Sequence, residues 1–194
     1  MTERRRIPVD EKTGQAVAMP QFSSGPPPEP EVAAPAPLCE CPRLDKDEWH
    51  EVESDWSDIA FLRTGINAAL GIPVGFSSAR DGLEAKARAL GATIPADAMV
   101  LLGEGRVRRP LMLEVEDVPA GTKDIDRPGG VVFTRLLPAH FGAMKRVVAE
   151  TEAAARERYG RKPDATWIWY LTCRICSAER DFETLILAHY AKRP

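Results

Sequence analysis

The order of periodic segments constrains the fold of this chain more than any single motif. Alternating apolar and polar residues are typical of strands, and apolar residues three or four apart are typical of helices. From residue 48 onward these patterns run strand, helix, strand, strand, and then the same order repeats. The first unit contains a strand pair or one long bent strand within 48–65, a helix at 78–91 and strands at 98–103 and 110–118. The second contains a strand at 129–137, a helix at 139–160 and strands at 166–173 and 181–190.

A short internal similarity favours a duplication. The segment IAFLR at 59–63 and the segment VVFTR at 131–135 carry phenylalanine and arginine at the same positions, each in the first strand of its unit. Repetition of whole units indicates repeated architecture more strongly than five residues alone. We therefore predict two βαββ repeats, approximately 48–118 and 129–190, within a domain that spans residues 47–194.

Two such units predict an α+β fold: duplicated βαββ units forming one antiparallel sheet, with two helices on one face and a concave ligand cleft on the other. Three segments carry a family resemblance: VVFTRLLPAHFGAMKRVV, TWIWYLT and FETLIL. On these segments, residues 48–193 resemble the gyrase-inhibitor-like (GyrI-like), SOUL-related effector-binding domains. The resemblance implies binding of apolar, often cationic or planar small molecules, and in one branch hydrolysis of electrophilic ligands. The Pro-rich tail, a Gly/Pro segment before the first helix and two cysteine pairs depart from that family.

Residues 1–46 differ in composition from the rest of the chain. They hold nine of the 17 prolines and, of the six phenylalanines, only Phe22. Such a segment cannot bury enough apolar surface to offset the entropy lost on ordering. We predict a disordered Pro-rich tail that is either a passive extension or an arm for a protein partner.

Charge and hydropathy exclude some partners. The chain has 26 basic and 29 acidic residues and a formal net charge of −3, which gives no positive field to attract nucleic acid or an acidic membrane. The basic N-terminus is not followed by the apolar region of an export signal, and no run of about 18 apolar residues occurs. We therefore expect a cytoplasmic protein that binds neither nucleic acid nor membrane.

The resemblance assigns Glu183 to the cleft, where it would be the catalytic residue if the protein is a hydrolase. A carboxylate among aromatic rings attracts an apolar cation through both its charge and the ring faces. Strand alternation places Trp167 and Trp169 on one face and Tyr170 on the other, without deciding which face is the cleft. The predicted ligand-binding residues are Glu183, Trp167, Trp169, Tyr170, Met112, Glu114 and Phe61.

Four cysteines form two close pairs. Cys39 and Cys41 precede the domain, and Cys173 and Cys176 occupy the turn after the aromatic strand. Four thiolates satisfy tetrahedral zinc if the two pairs meet, and such a site is structural because no position stays open for water. A disulfide and free thiols are the alternatives.

For function we expect a non-enzymatic small-molecule-binding module, with a hydrolase using Glu183 and a zinc-stabilised scaffold as alternatives.

Overall fold

A computed structural model describes residues 39–69, 72–119, 121–122 and 124–192. The predicted tail before residue 39 lies outside the described residues. The helices are α1 (Lys46–Trp49), α2 (Phe76–Leu90), a short 3-10 helix (Phe141–Ala143) and α3 (Met144–Tyr159). The strands are β1 (Val52–Asp55), β2 (Ala60–Ala69), β3 (Ile72–Pro73), β4 (Val100–Gly103), β5 (Arg108–Val115), β6 (Ile125–Asp126), β7 (Val131–Pro138), β8 (Ala165–Tyr170) and β9 (Glu183–Tyr190).

The described strands form one antiparallel sheet in the order β1-β7-β9-β8-β4-β5-β2-β3, with β6 pairing to β2. The units β2-α2-β4-β5 and β7-α3-β8-β9 have the same internal pairing: the first strand pairs with the last, and the last with the middle one. The units meet where β4 pairs with β8. The predicted α+β class and the duplicated βαββ layout are confirmed.

Both long helices lie on the same face of the sheet. Helix α3 buries Met144, Val147, Thr151 and Ala155, which are three or four residues apart and form one stripe. This stripe covers Ile168 and Ile186, which pair across β8 and β9. Helix α2 reaches the same face, because Phe76 packs edge-on against Tyr170, two residues along β8 from Ile168. The two helices predicted on one face are therefore confirmed.

The opposite, concave face is covered by residues 44–49 and by Trp56, which lie on either side of the edge strand β1. Trp56 lies against both Phe61 on β2 and His189 on β9, two strands that are well separated in the sheet order. One ring can touch both only because the sheet curves around it. Trp49 packs edge-on against Trp169, with ring centroids 6.1 Å apart, and Leu44 also packs on this cluster.

The sequence predicts that residues 39–46 are part of the tail and that this face holds an open cleft. Residues 39–46 instead belong to the described body and help to cover the sheet. The driving force is burial of large aromatic surfaces, at about 25 cal/mol per Å² of apolar area removed from water. The concave side of the sheet is therefore a packed core.

The similar segments 59–63 and 131–135 are not structurally equivalent. Phe61 pairs with Glu114 and contacts Trp56 on the concave face. Phe133 pairs with Ala188 and contacts Tyr159 of α3 on the helix face. Because side chains alternate along a strand, a shift of one residue reverses the face. The duplication is visible in the topology and not in this pentapeptide match.

Candidate functional site

A cavity lies on the helix side of the sheet, between the N-terminal half of α3 and the turn joining β4 to β5. Its volume is about 520 Å³. One end has apolar walls from Phe141, Met144 and Val148, with Lys145 beside them, and a floor from Ile168 and Tyr170. Cavities of roughly 300–1,000 Å³ with mainly apolar walls and a few polar groups are typical of small-molecule sites.

The other end of the cavity carries two acidic side chains. Glu104 follows β4, and Glu152 comes from the third turn of α3, where its carboxylate accepts a 2.6 Å hydrogen bond from Thr166 Oγ1. Partial burial raises the pKa of Glu104 above its usual range, and the negative charge of Glu152 adds to this, against the opposing effect of Arg109. The two carboxylates are thus close enough to repel each other.

Arg109 and Tyr170 complete the polar part of the cavity. Arg109 is buried and donates from Nε to the Gly103 carbonyl at 2.7 Å, which fixes its guanidinium beside the acids. The buried hydroxyl of Tyr170 has no hydrogen-bond partner of acceptable geometry among the described residues. Burial raises its pKa, and Arg109 partly opposes the rise, so the phenol stays protonated. A ligand with a hydrogen-bonding group could satisfy it.

Of the predicted ligand-binding residues, only Tyr170 lines this cavity. Phe61, Met112, Trp167 and Trp169 belong to the concave-face core, with exposed fractions of 0%, 0%, 7% and 3%. They pack against other side chains because the covering segment leaves them no solvent-facing surface.

Glu114 and Glu183 also lie outside the cavity lining. The Glu114 carboxylate accepts a 3.0 Å hydrogen bond from the Met99 amide, so its role in the structure is to hold the entry to β4. Glu183 begins β9 and is ion-paired to Arg180, whose side chain is only 7% exposed. That guanidinium also donates to the carbonyls of Leu171 and Pro42, at 3.0 and 2.7 Å. Arg180 therefore joins residues 39–43 to the turn after β8.

The four cysteines meet in space. One sulfur from each of Cys39, Cys41, Cys173 and Cys176 lies within 4.8 Å of every other. Tetrahedral zinc with bonds of about 2.3 Å holds its sulfurs a little under 4 Å apart, so small movements would bring all four into ligating positions. The condition set by the sequence, that the two pairs meet, is fulfilled, and the cluster can hold a metal ion.

The backbone around Cys173 prepares a thiolate. Its sulfur accepts a hydrogen bond from the Ile175 amide at 3.4 Å. Amide donation from Cys176 and then from Ile175 lowers the pKa of the Cys173 thiol to about 6. Burial, followed by hydrogen bonds with Cys173 and Cys39, raises the pKa of Cys41 to about 12. Negative charges on neighbouring sulfurs repel one another, and a bound metal cation would offset that repulsion.

A family model described as "Bacterial hydrolase" matches residues 32–187, about four-fifths of the chain. The chain belongs to this bacterial hydrolase family. The matched range contains all four cysteines and every residue that lines the helix-side cavity. No curated protein and no solved structure gives a significant match.

Two acids in the cavity of this member of the bacterial hydrolase family, Glu104 and Glu152, were not among the site residues predicted from the sequence. Glu152 looked like one of several charged residues on the exposed side of α3, and Glu104 like part of a polar turn. One feature of the sequence could have indicated a polar site here. Glu104 and Arg109 flank a short turn between two strongly apolar strands, where polar groups of two strand ends converge.

Within the described ranges, no helix is long and apolar enough to cross a membrane.

Proposed function

We propose that this protein binds an apolar, positively charged small molecule in the helix-side cavity. The observation that carries the proposal is the pair of neighbouring carboxylates, Glu104 and Glu152, in a cavity that also has apolar walls. Arg109 and Lys145 line the same cavity, so the ligand's cation has to lie on the side of the carboxylates that faces away from them. The mutual repulsion of the two carboxylates is relieved when a cation lies there. The apolar end would take the rest of the ligand, whose transfer from water supplies most of the binding free energy.

Aromatic rings add to this attraction at the apolar end. Phe141 is about half exposed at the cavity wall, and Tyr170 forms part of the floor. A cation over such a ring gains about 0.5–2 kcal/mol, more where water is excluded. The resemblance to the gyrase-inhibitor-like domains supports the same ligand class, although the cavity proposed here is on the other side of the sheet from the predicted cleft.

Berberine, a planar apolar cation that fluoresces more strongly in apolar surroundings, is a suitable probe. We expect saturable binding, with affinity about tenfold lower in Glu152→Gln because one of the two countercharges is lost. Glu150→Gln is the matched control, since Glu150 lies on the same helix but pairs with Arg146 outside the cavity. Equal affinities of the wild type and both variants would reject the acidic end as the cation site.

Hydrolysis of the bound molecule is a second candidate, favoured by the family match. In that reaction Glu152 would accept a proton from water while the water oxygen attacks an electrophilic carbon. Glu104, whose pKa is raised by burial and by Glu152, would donate its proton to the leaving group. The bond to the leaving group breaks as the new carbon–oxygen bond forms, and a proton exchange restores both acids.

The two candidates separate with a chromogenic ester. Incubation with p-nitrophenyl acetate should release nitrophenolate over many turnovers if the cavity is catalytic, and Glu152→Gln should reduce turnover about a hundredfold. Glu183→Gln tests the predicted use of Glu183, and we expect it to leave turnover unchanged because Arg180 already engages that carboxylate. Saturable berberine binding without turnover would favour a binding protein.

We also propose that the four-cysteine cluster holds one zinc ion in a structural role. Zinc is favoured because four thiolates in tetrahedral reach match its preferred donors and leave no open position for water. The purified protein should contain about one zinc per chain by elemental analysis, and Cys173→Ser with Cys176→Ser should contain none. A wild-type protein purified without metal, and unable to take up zinc, would reject this assignment.

Three expectations about partners and location stay proposals. The described cysteines are all free, which agrees with a reducing, cytoplasmic location. Residues 1–38 are proposed as an arm for a protein partner, testable by comparing partner binding of the full chain with that of a chain lacking them. The net charge of −3 argues against nucleic-acid or membrane partners.

A further inference from the structure

A short series of contacts joins the cysteine cluster to the helix-side cavity. The segment from Leu171 to Phe182, here called the metal loop, carries Cys173 and Cys176. At its end the Phe182 carbonyl accepts a 3.2 Å hydrogen bond from the Ala139 amide. The Phe182 ring packs edge-on against His140, with centroids 6.4 Å apart. The metal loop therefore contacts the residues that lead into the 3-10 helix.

The 3-10 helix transmits this contact to the cavity. His140 directly precedes the 3-10 helix, and its carbonyl accepts a 2.9 Å hydrogen bond from the Ala143 amide. Phe141 within this helix and Met144 directly after it form the apolar end of the cavity. A change in the position of Phe182 would thus move the cavity wall through His140.

The metal loop holds its end in an unfavourable backbone conformation. Asp181 and Phe182 both have positive φ, at 52° and 54°. Left-handed conformations of residues other than glycine are unfavourable and persist only where the surroundings enforce them. The enforcing contacts begin at the cysteines: the Phe182 amide donates to Ser177, and the Ser177 amide donates to Cys173, at 2.8 and 2.9 Å.

We infer that metal occupancy of the four-cysteine cluster controls the ligand affinity of the helix-side cavity. With metal bound, the turn from Cys173 to Cys176 is fixed and Phe182 is held against His140. Without it, the turn loses its anchor to Cys39 and Cys41, and the strained residues relax towards ordinary backbone angles. The 3-10 helix then loses its support, and the apolar end of the cavity loosens.

This inference rests on the proposed binding function, but one of its measurements does not. Hydrogen exchange of the backbone amides in residues 139–148 reports on the cavity wall without any ligand. We expect faster exchange there in protein stripped of metal by a chelator, with a thiol reductant present to prevent disulfides, than in zinc-loaded protein. Berberine affinity should fall about tenfold, within the 5–150-fold range usual for coupled sites.

A second variant separates the contact from the metal. Phe182→Asn removes the ring and keeps a residue that tolerates the left-handed backbone, so all four cysteines and the zinc should be retained. We expect one zinc per chain, with exchange and berberine affinity resembling those of the metal-free protein. Ile175→Asn is the matched control: Ile175 is an exposed apolar residue of the same loop, and no effect is expected.

The outcomes are distinguishable. If zinc-loaded protein does not bind berberine, the proposed ligand class fails, and hydrogen exchange alone decides the coupling. Unchanged exchange at 139–148 on metal removal, in protein that stays folded by circular dichroism, would overturn the inference. So would a Phe182→Asn variant that behaves like Ile175→Asn.

Discussion

Replacing Arg180 by methionine should destabilise the protein more than any loss of a surface charge. The guanidinium is almost fully buried, pairs with Glu183 and donates to the Leu171 and Pro42 carbonyls. Methionine fills a similar volume but donates nothing, so two carbonyls and a partly buried carboxylate lose their partner. Hydrogen bonds from a charged donor contribute about 1.5–3 kcal/mol each, and breaking a buried pair costs about 3–5 kcal/mol.

Glu183 is 30% exposed and water can partly replace its partner, so we expect a loss near the lower end, about 3 kcal/mol in the free energy of unfolding. For a domain of this size that corresponds to a fall in Tm of roughly 9 °C. Urea unfolding of the zinc-loaded protein, followed by tryptophan fluorescence, measures it directly.

The matched control is Arg146→Met. Arg146 makes a 2.7 Å ion pair with Glu150 one turn along α3, but its side chain is 67% exposed. Exposed pairs of this kind contribute about 0.3–0.5 kcal/mol. If Arg180→Met costs less than about 1 kcal/mol, or no more than the control, Arg180 does not hold the two segments together as argued.

Three further predictions concern the sheet and the cavity. Gly103→Ala should lower the free energy of unfolding by about 2 kcal/mol, because the added Cβ would lie 2.5 Å from Pro110 Cγ and 2.6 Å from the Trp167 ring. An unchanged urea concentration at the unfolding midpoint would contradict this close packing. Trp49→Ala should expose the ring it covers and cost about 2 kcal/mol, seen as greater acrylamide quenching of the remaining tryptophans; unaltered quenching would count against the covered concave face. Berberine affinity should fall as the pH drops through the raised pKa of Glu104, because the protonated acid carries no countercharge. Glu104→Gln should weaken binding at neutral pH and flatten the dependence of affinity on pH. If the affinity of the wild type does not change with pH, Glu104 is not part of the site.

The fold was largely predictable because its signals are local and repeated. Helix α2 was expected to end at Gly91, and this glycine has the left-handed backbone typical of a helix end. Strand β2 was harder: its second half, with Asn67 and small residues, has little apolar alternation, yet it pairs with β5 as far as Asn67. Cross-strand bonding there outweighs weak strand propensity.

The site was less predictable because it depends on what covers each face of the sheet. Alternation placed Trp169 and Tyr170 on opposite faces, but nothing local indicates that Trp49 and Trp56 cover one of those faces. For the cysteines, spacing and donor chemistry left a metal site, a disulfide and free thiols open, and only the tertiary fold shows that the two pairs meet. The acids of the cavity, Glu104 and Glu152, come from segments far apart in sequence, and only the tertiary fold brings them together.

The seam between the two halves of the sheet has a mechanical consequence. Strands β2 and β5, and likewise β7 and β9, pair over eight residue positions each, whereas β4 and β8 pair only through Leu102 with Ile168 and Gly103 with Trp167. A sheet bends more easily where few residue pairs join two neighbouring strands. Ile168 is also part of the floor of the helix-side cavity, so twisting one half of the sheet against the other would change the width of that cavity. A ligand that contacts both halves would therefore stiffen the sheet.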